Sequence, residues 1–156
     1  MSAKEKTAIA VSACLLGKRC RYNGETQTNG DVTELAKWFR IIPVCPELFG
    51  GLTVPREPSE ISGDRVITKS GKDVTDAYRI GAEKTLELIR RENCVAALLK
   101  ERSPSCGKGL VHNGSFDGGM VPGDGITAAW LLENGIPVFG ETETETIKQY
   151  LKGKRI

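Results

Sequence analysis

The sequence predicts an α/β fold, an open and mostly parallel sheet flanked by helices and forming a single domain over residues 1–156. Three observations carry that expectation. Short apolar, β-branched runs recur along the chain, and helical periodicities alternate with them. The length of 156 residues, with 39% hydrophobic and 27% charged, suits one compact domain whose core needs no disulfide staples.

The elements follow in order. Residues Thr7 to Ala13 read as a buried parallel strand, followed by a loop through Gly17 and the Tyr22-Asn23-Gly24 turn signal. Val32, Leu35, Ala36 and Phe39 fall at helical spacing over Asp31 to Phe39, with Asn29 or Asp31 as cap. Arg40 to Cys45 is a second strand whose Pro43 demands an edge position or a local irregularity. Pro46 to Ser62 is turn-rich and reads as a long loop, functional or disordered, and Asp64 to Lys69 as a short excursion strand. The clearest helix covers Asp73 to Arg91, with Val74, Ala77, Tyr78, Gly81, Thr85, Leu88 and Ile89 as its inner stripe. Cys94 to Lys100 is a third buried strand, and Glu101 to Asp124 a glycine-rich loop. A short helix at Gly125 to Asn134, a fourth strand at Ile136 to Gly140 and a helix at Thr142 to Lys152 complete the pattern.

Composition excludes several function classes. Twenty-two Lys and Arg against 20 Asp and Glu leave a charge of +2, no electrostatic case for a dedicated nucleic-acid binder. No apolar run approaches the roughly 18 residues of a membrane span. The first six residues carry an acid and lack a long apolar core, so a cytoplasmic location is expected. His112 is the sole histidine, which rules out a His-rich metal site.

Five cysteines, an odd number, argue for ligands, catalytic thiols or buried apolar thiols and against a disulfide framework. In an open α/β sheet, ligands bind beyond the carboxyl ends of the strands. Cys14 follows the first strand, Cys45 ends the second, and Cys106 lies in the loop after the third. Parallel neighbours lie about 4.8 Å apart, so three strand ends can deliver three thiols to one patch. Three thiolates without a matching histidine suit a soft metal centre. Zinc would need a fourth ligand such as His112. An iron–sulfur cube on three cysteines would keep one iron open. Cys94, opening an apolar strand, fits a buried thiol. Cys20 remains a spare thiol, a fourth ligand or a resolving partner. Glu47, two residues beyond Cys45, can bring a carboxylate to the same crevice for proton transfer. Ser103 and Ser105 flank the third thiol and can donate hydrogen bonds or simply shape the turn. Gly107 to Gly125 matches no nucleotide-binding pattern and reads as a flexible lid or an anion-binding nest.

Four ordered blocks resemble one known family. They are Ser12-Ala13-Cys14-Leu15-Leu16-Gly17, then Arg21-Tyr22-Asn23-Gly24, then Cys45-Pro46-Glu47 with Gly50-Gly51-Leu52 and Pro55-Arg56, then Lys100 through Gly107. Together they resemble the signature of the thiouracil desulfidase family, many of whose members carry only the label of a bacterial domain of unknown function. The resemblance spans roughly residues 7 to 140. It implies a Rossmann-like domain holding a [4Fe–4S] cluster on Cys14, Cys45 and Cys106. It further implies an enzyme that removes sulfur from thiolated uracil bases, nucleosides or nucleotides. By the same resemblance Glu47 and Ser103 are the catalytic acid–base and hydroxyl groups. Ser12 and Ser105, close in sequence to Cys14 and Cys106, are expected to contact substrate. Some relatives carry a further C-terminal domain and act on thiolated transfer RNA; a chain ending at Ile156 points to a free small molecule and away from nucleic acid. Two alternatives stand beside this reading. One is a zinc-stabilised binding module; the other is thiol redox chemistry, for which no C-x-x-C motif is present.

Overall fold

The computed structural model describes residues 6–19, 21–24 and 28–153. Cys20 and the basic tail residues Lys154 and Arg155 lie outside them. The chain runs through β1 (Ala8–Ser12), α1 (Gly30–Glu34), β2 (Arg40–Val44) and α2 (Pro46–Phe49). It continues through β3 (Ser59–Ser62), β4 (Arg65–Thr68), α3 (Thr75–Arg91) and β5 (Cys94–Leu99). The last elements are β6 (Leu110–His112), β7 (Met120–Pro122), α4 (Ile126–Glu133), β8 (Val138–Gly140) and α5 (Thr144–Gly153).

The central sheet has the order β2-β1-β5-β8, and every pair in it is parallel. All five residues of β1 are buried, as the apolar run Ala8–Ser12 requires in a strand covered on both faces. Successive side chains alternate between the faces. Ile9, Val11 and Leu98 pack toward Val32, Leu35, Ile147 and Leu151 of the α1 and α5 side. Ala8, Ala10, Ala97 and Leu99 pack toward Leu86, Ile89, Ala128 and Leu131 of α3 and α4. The expected α/β class is thus present, with helices on both faces.

Chain direction creates the binding crevice. From β1 the chain moves to β2 on one side, then returns with β5 on the other side of β1. Connections leaving the carboxyl ends of β1 and β5 therefore part, which opens a gap at that switch point. Pro43 sits in the edge strand β2, where a missing N–H costs no ladder bond.

Three regions differ from the sequence reading. The helix expected over 31–39 stops at Glu34 and tightens into a 3-10 turn at Leu35–Lys37. There the N–H groups of Trp38 and Phe39 share the Leu35 carbonyl, at 3.0 and 2.9 Å, and turn the chain into β2. Asn29 supplies the cap, its Oδ1 accepting the Val32 N–H at 3.2 Å. The long loop of 46–62 contains α2 and β3, the latter pairing antiparallel with β4 beside the expected excursion strand. The glycine-rich 101–124 stretch carries a second hairpin, β6 with β7. The three or four residues of β3, β6 and β7 sit among glycines, prolines and polar residues and leave no readable alternation. On α3 the buried face is Thr75, Tyr78, Gly81, Ala82, Thr85, Leu86 and Ile89. Thr75, Ala82 and Leu86 take the places expected of Val74, Ala77 and Leu88, a small rotation about the helix axis.

Candidate active site

The three expected thiols reach the carboxyl edge of the sheet by three different local devices. Cys14 lies in a 3-10 turn, Ala13–Leu16, that begins where β1 ends and closes at Gly17, whose φ of 98° suits glycine. Cys45 is the N-cap of α2, directly after β2, with Pro46 opening the helix. Cys106 stands in the loop after β5. The first turn of α4 pins that loop: Gly125 N–H donates to the Gly107 carbonyl at 2.6 Å, Ile126 to Pro104 at 2.9 Å and Thr127 to Ser105 at 2.8 Å. A Cβ on Gly125 would lie 2.5 Å from the Ser105 carbonyl carbon, so only glycine permits this approach.

Cys14, Cys45 and Cys106 line one cavity of about 360 Å³, together with Glu47, Ser103 and Ser12. None of Cys14, Cys45, Cys94 and Cys106 is in a disulfide. Burial pushes the Cys106 thiol up to about 12; Glu47 and Cys45 push the same way, while hydrogen bonds with Ser12 and Ser105 oppose them. Such a thiol stays neutral until a metal displaces its proton. Cys94 lies at the opposite end of the sheet, where β5 begins, and burial raises its thiol to about 11.

Glu47 is held at both carboxylate oxygens. Arg56 Nη2 donates to Oε2 at 2.6 Å, and the Tyr78 hydroxyl donates to Oε1 through a short hydrogen bond. Arg56 and Glu47 have side-chain exposures of 8% and 19%, dry enough for the pair to fix a geometry. Burial, then the Glu47 charge, raises the Tyr78 phenol far above its ordinary range, so it remains a donor. Backbone contact sets the position of α2 itself. A Cβ on Gly50 would come 1.9 Å from the Ala77 carbonyl oxygen, and one on Gly81 the same distance from that of Pro46. Two glycines thus let α2 lie against the α3 backbone.

The three serines divide. Ser103 lines the cavity, its Oγ accepting the N–H groups of Ser105 and Cys106, both at 3.1 Å. Its own proton finds no acceptor among the described residues, so the hydroxyl can donate to a ligand. Ser12 also lines the cavity, but its Oγ accepts the Lys100 N–H at 2.8 Å and ties β1 to β5. Ser105, expected to contact substrate, is 1% exposed and bonded to Thr127 at 2.9 Å; it supports the Cys106 loop from beneath and is absent from the cavity wall. His112 lines the cavity, and its Nδ1 is buried without a hydrogen-bond partner among the described residues.

Sequence reasoning missed Arg56 and Tyr78 as partners of Glu47. Tyr78 reads as core from its place on the α3 stripe, and the two lie nine and 31 residues from Glu47. No local spacing could have paired them.

Zinc needs its donors converging on one point. Among the described residues no three His, Cys, Asp or Glu side chains gather closely enough for that. Cys14, Cys45 and Cys106 line one cavity instead, which fits a polynuclear cluster whose cysteines bind different irons.

Known proteins resemble this chain over most of its length. The 2-thiouracil desulfurase family profile matches residues 9–143. The Bacillus subtilis (strain 168) protein called Uncharacterized protein YbbK is 42% identical over 149 residues, covering 89% of this chain and 99% of its own. The solved structure of a [4Fe-4S]-dependent thiouracil desulfidase, TudS, superposes with a TM-score of 0.89 at 42% identity. It covers 94% of this chain and 99% of that one. With its profile match running from β1 to the last strand of the sheet, the chain belongs to the 2-thiouracil desulfurase family.

Proposed function

We propose that this protein is a [4Fe–4S]-dependent desulfidase, a single catalytic domain that replaces the sulfur of a thiolated uracil with oxygen and releases sulfide. The observation that carries the reading is the meeting of three strand-end thiols with Glu47 and Ser103 around one cavity. Cys14, Cys45 and Cys106 are the residues that would hold the cluster. Bound by three thiolates, it supplies an iron with an open position, a soft Lewis acid matched to a thiocarbonyl sulfur.

This chain's own groups supply the rest. Exchange of C=S for C=O consumes one water and involves no net electron transfer, so the protein must manage protons. Glu47 takes a proton from the attacking water, with Arg56 and Tyr78 holding its carboxylate in one orientation. Ser103, its oxygen already accepting two backbone N–H groups, directs its O–H toward the water or the polarised ring. The cavity volume suits a small ring compound. Free base, nucleoside or nucleotide is the proposed substrate class, acting in the cytoplasm without nucleic acid. No described helix is long and apolar enough to cross a membrane.

Anaerobic reconstitution with iron and sulfide, followed by sulfide release from 2-thiouracil, tests the reading. Wild type is expected to release sulfide, and Glu47→Ala to keep its iron and lose turnover. Full activity of Glu47→Ala on every thiolated uracil tried would remove the acid–base role.

A further inference from the structure

One carboxylate joins the two hairpins that lie outside the parallel sheet. Glu60 of β3 is 7% exposed. Its Oε1 accepts the N–H of Gly114 at 2.9 Å and that of Phe116 at 3.2 Å, both in the connection between β6 and β7. At Gly114, with φ of 90°, this connection presses on β3 so closely that a Cβ would lie 2.8 Å from the Ile61 carbonyl oxygen. The connection is also wound on itself. Asn113 Oδ1 accepts the Ser115 N–H, and Asp117 Oδ1 the Gly119 N–H, each at 2.8 Å.

The result of this bracing is Phe116 at φ 56°. A residue with a bulky side chain takes the left-handed region at a cost and keeps it only where its surroundings impose it. What the bracing achieves is the placement of a ring, since Phe116 lines the same cavity as the three cysteines and Glu47. Several charged residues share that wall with it, among them Lys100, Glu101 and Arg102. A phenylalanine there can neither bond nor transfer a proton; it can offer only a flat apolar face.

We propose that Phe116 stacks on the face of the thiolated pyrimidine ring, and that Glu60 is the positioning residue that holds it there. This inference rests on the desulfidase reading and adds to it a determinant of substrate specificity. Stacking sets how tightly and in which plane the ring lies, while the proton chemistry stays with Glu47 and Ser103. Loss of the aromatic face therefore shows in binding and in KM, and little in kcat.

The test uses the anaerobic holoenzyme with 2-thiouracil as substrate and uracil as an equilibrium ligand followed by calorimetry. Phe116→Leu keeps apolar bulk and loses the aromatic face. It should raise KM for 2-thiouracil and Kd for uracil about tenfold, with iron content unchanged and kcat within about threefold. The saturated rings 5,6-dihydro-2-thiouracil and dihydrouracil have no aromatic face, so the variant should handle them as wild type does. Glu60→Gln keeps an acceptor oxygen and should match wild type, whereas Glu60→Ala should copy Phe116→Leu. If Glu60→Ala does not fold, Glu60→Asp, too short to reach both N–H groups, takes its place, and wild-type KM and Kd in whichever of the two folds removes the role of Glu60. Wild-type KM and Kd in Phe116→Leu, or an equal loss for planar and saturated rings, overturns the inference while leaving the desulfidase reading intact. A wild-type holoenzyme that neither binds uracil nor releases sulfide overturns that reading, and the inference with it.

Discussion

Replacing Gly81 by alanine tests whether the packing of α2 on α3 places the reacting groups. Gly81 lies mid-way along α3, remote in sequence from Cys45 and Glu47, and lines no part of the cavity. Its new methyl would start 1.9 Å from the Pro46 carbonyl oxygen, where real Cβ contacts are essentially never under 3.0 Å. Backbone cannot rotate aside as a side chain can, so α2 must retreat by roughly 1 Å, carrying Cys45 and Glu47 with it. Misplacement on that scale costs on the order of 100-fold in rate. Stability moves less. Alanine gains about 1 kcal/mol over glycine in a helix interior, and overpacking costs about 1–3 kcal/mol. The net loss of up to about 2 kcal/mol lowers Tm by roughly 4–8 °C for a domain of this size. Steady-state sulfide release and thermal melting on the same anaerobic preparation check both numbers. Ile80→Ala, at the exposed neighbouring position, is the control and should leave both near wild type. Wild-type kcat in Gly81→Ala would refute the claim that this contact positions the site.

Three further outcomes follow from the same geometry. Tyr78→Phe removes only the hydroxyl that holds Glu47; a hydrogen bond to a charged group is worth about 1.5–3 kcal/mol, so urea unfolding should register that loss and kcat should fall while iron content holds. Cys94, with its thiol raised to about 11, stays protonated at pH 8; iodoacetamide should leave it unmodified in the folded protein, and Cys94→Ala should retain iron and turnover. Asp73 is lowered from 3.8 to about 2, first by the Thr75 hydroxyl, then by the Thr75 N–H and Arg65. Its contribution is complete above the ordinary value and disappears as pH falls through about 2. Urea midpoints measured against pH should therefore fall less steeply across that acid window in Asp73→Asn than in wild type.

The parallel core was readable because its strands are short and mostly apolar and α3 is long and amphipathic. From the strand ends alone, Cys14, Cys45 and Cys106 could be placed on one edge, and Glu47 with them. Legibility stopped where contacts cross the chain. The hold of Arg56 and Tyr78 on Glu47, and of Glu60 on the 113–116 loop, spans nine to 56 residues and has no local signature. Ser105 shows the other limit. Next to Cys106 in sequence it looks like a site residue, yet the turn sends its hydroxyl to Thr127 and into the core. Of the two small hairpins only β4 was legible; β3, β6 and β7 left no readable pattern, and with them went the placement of Phe116.

The central claim is that Cys14, Cys45 and Cys106 together grip one iron–sulfur cluster. Its most direct test is iron and acid-labile sulfide per chain after anaerobic reconstitution, measured in wild type and in Cys14→Ala, Cys45→Ala, Cys106→Ala and Cys94→Ala. The account predicts a full cluster complement in wild type and Cys94→Ala, and its loss in each of the other three. Full iron and sulfide in any one of those three, or loss on removing Cys94, would contradict it.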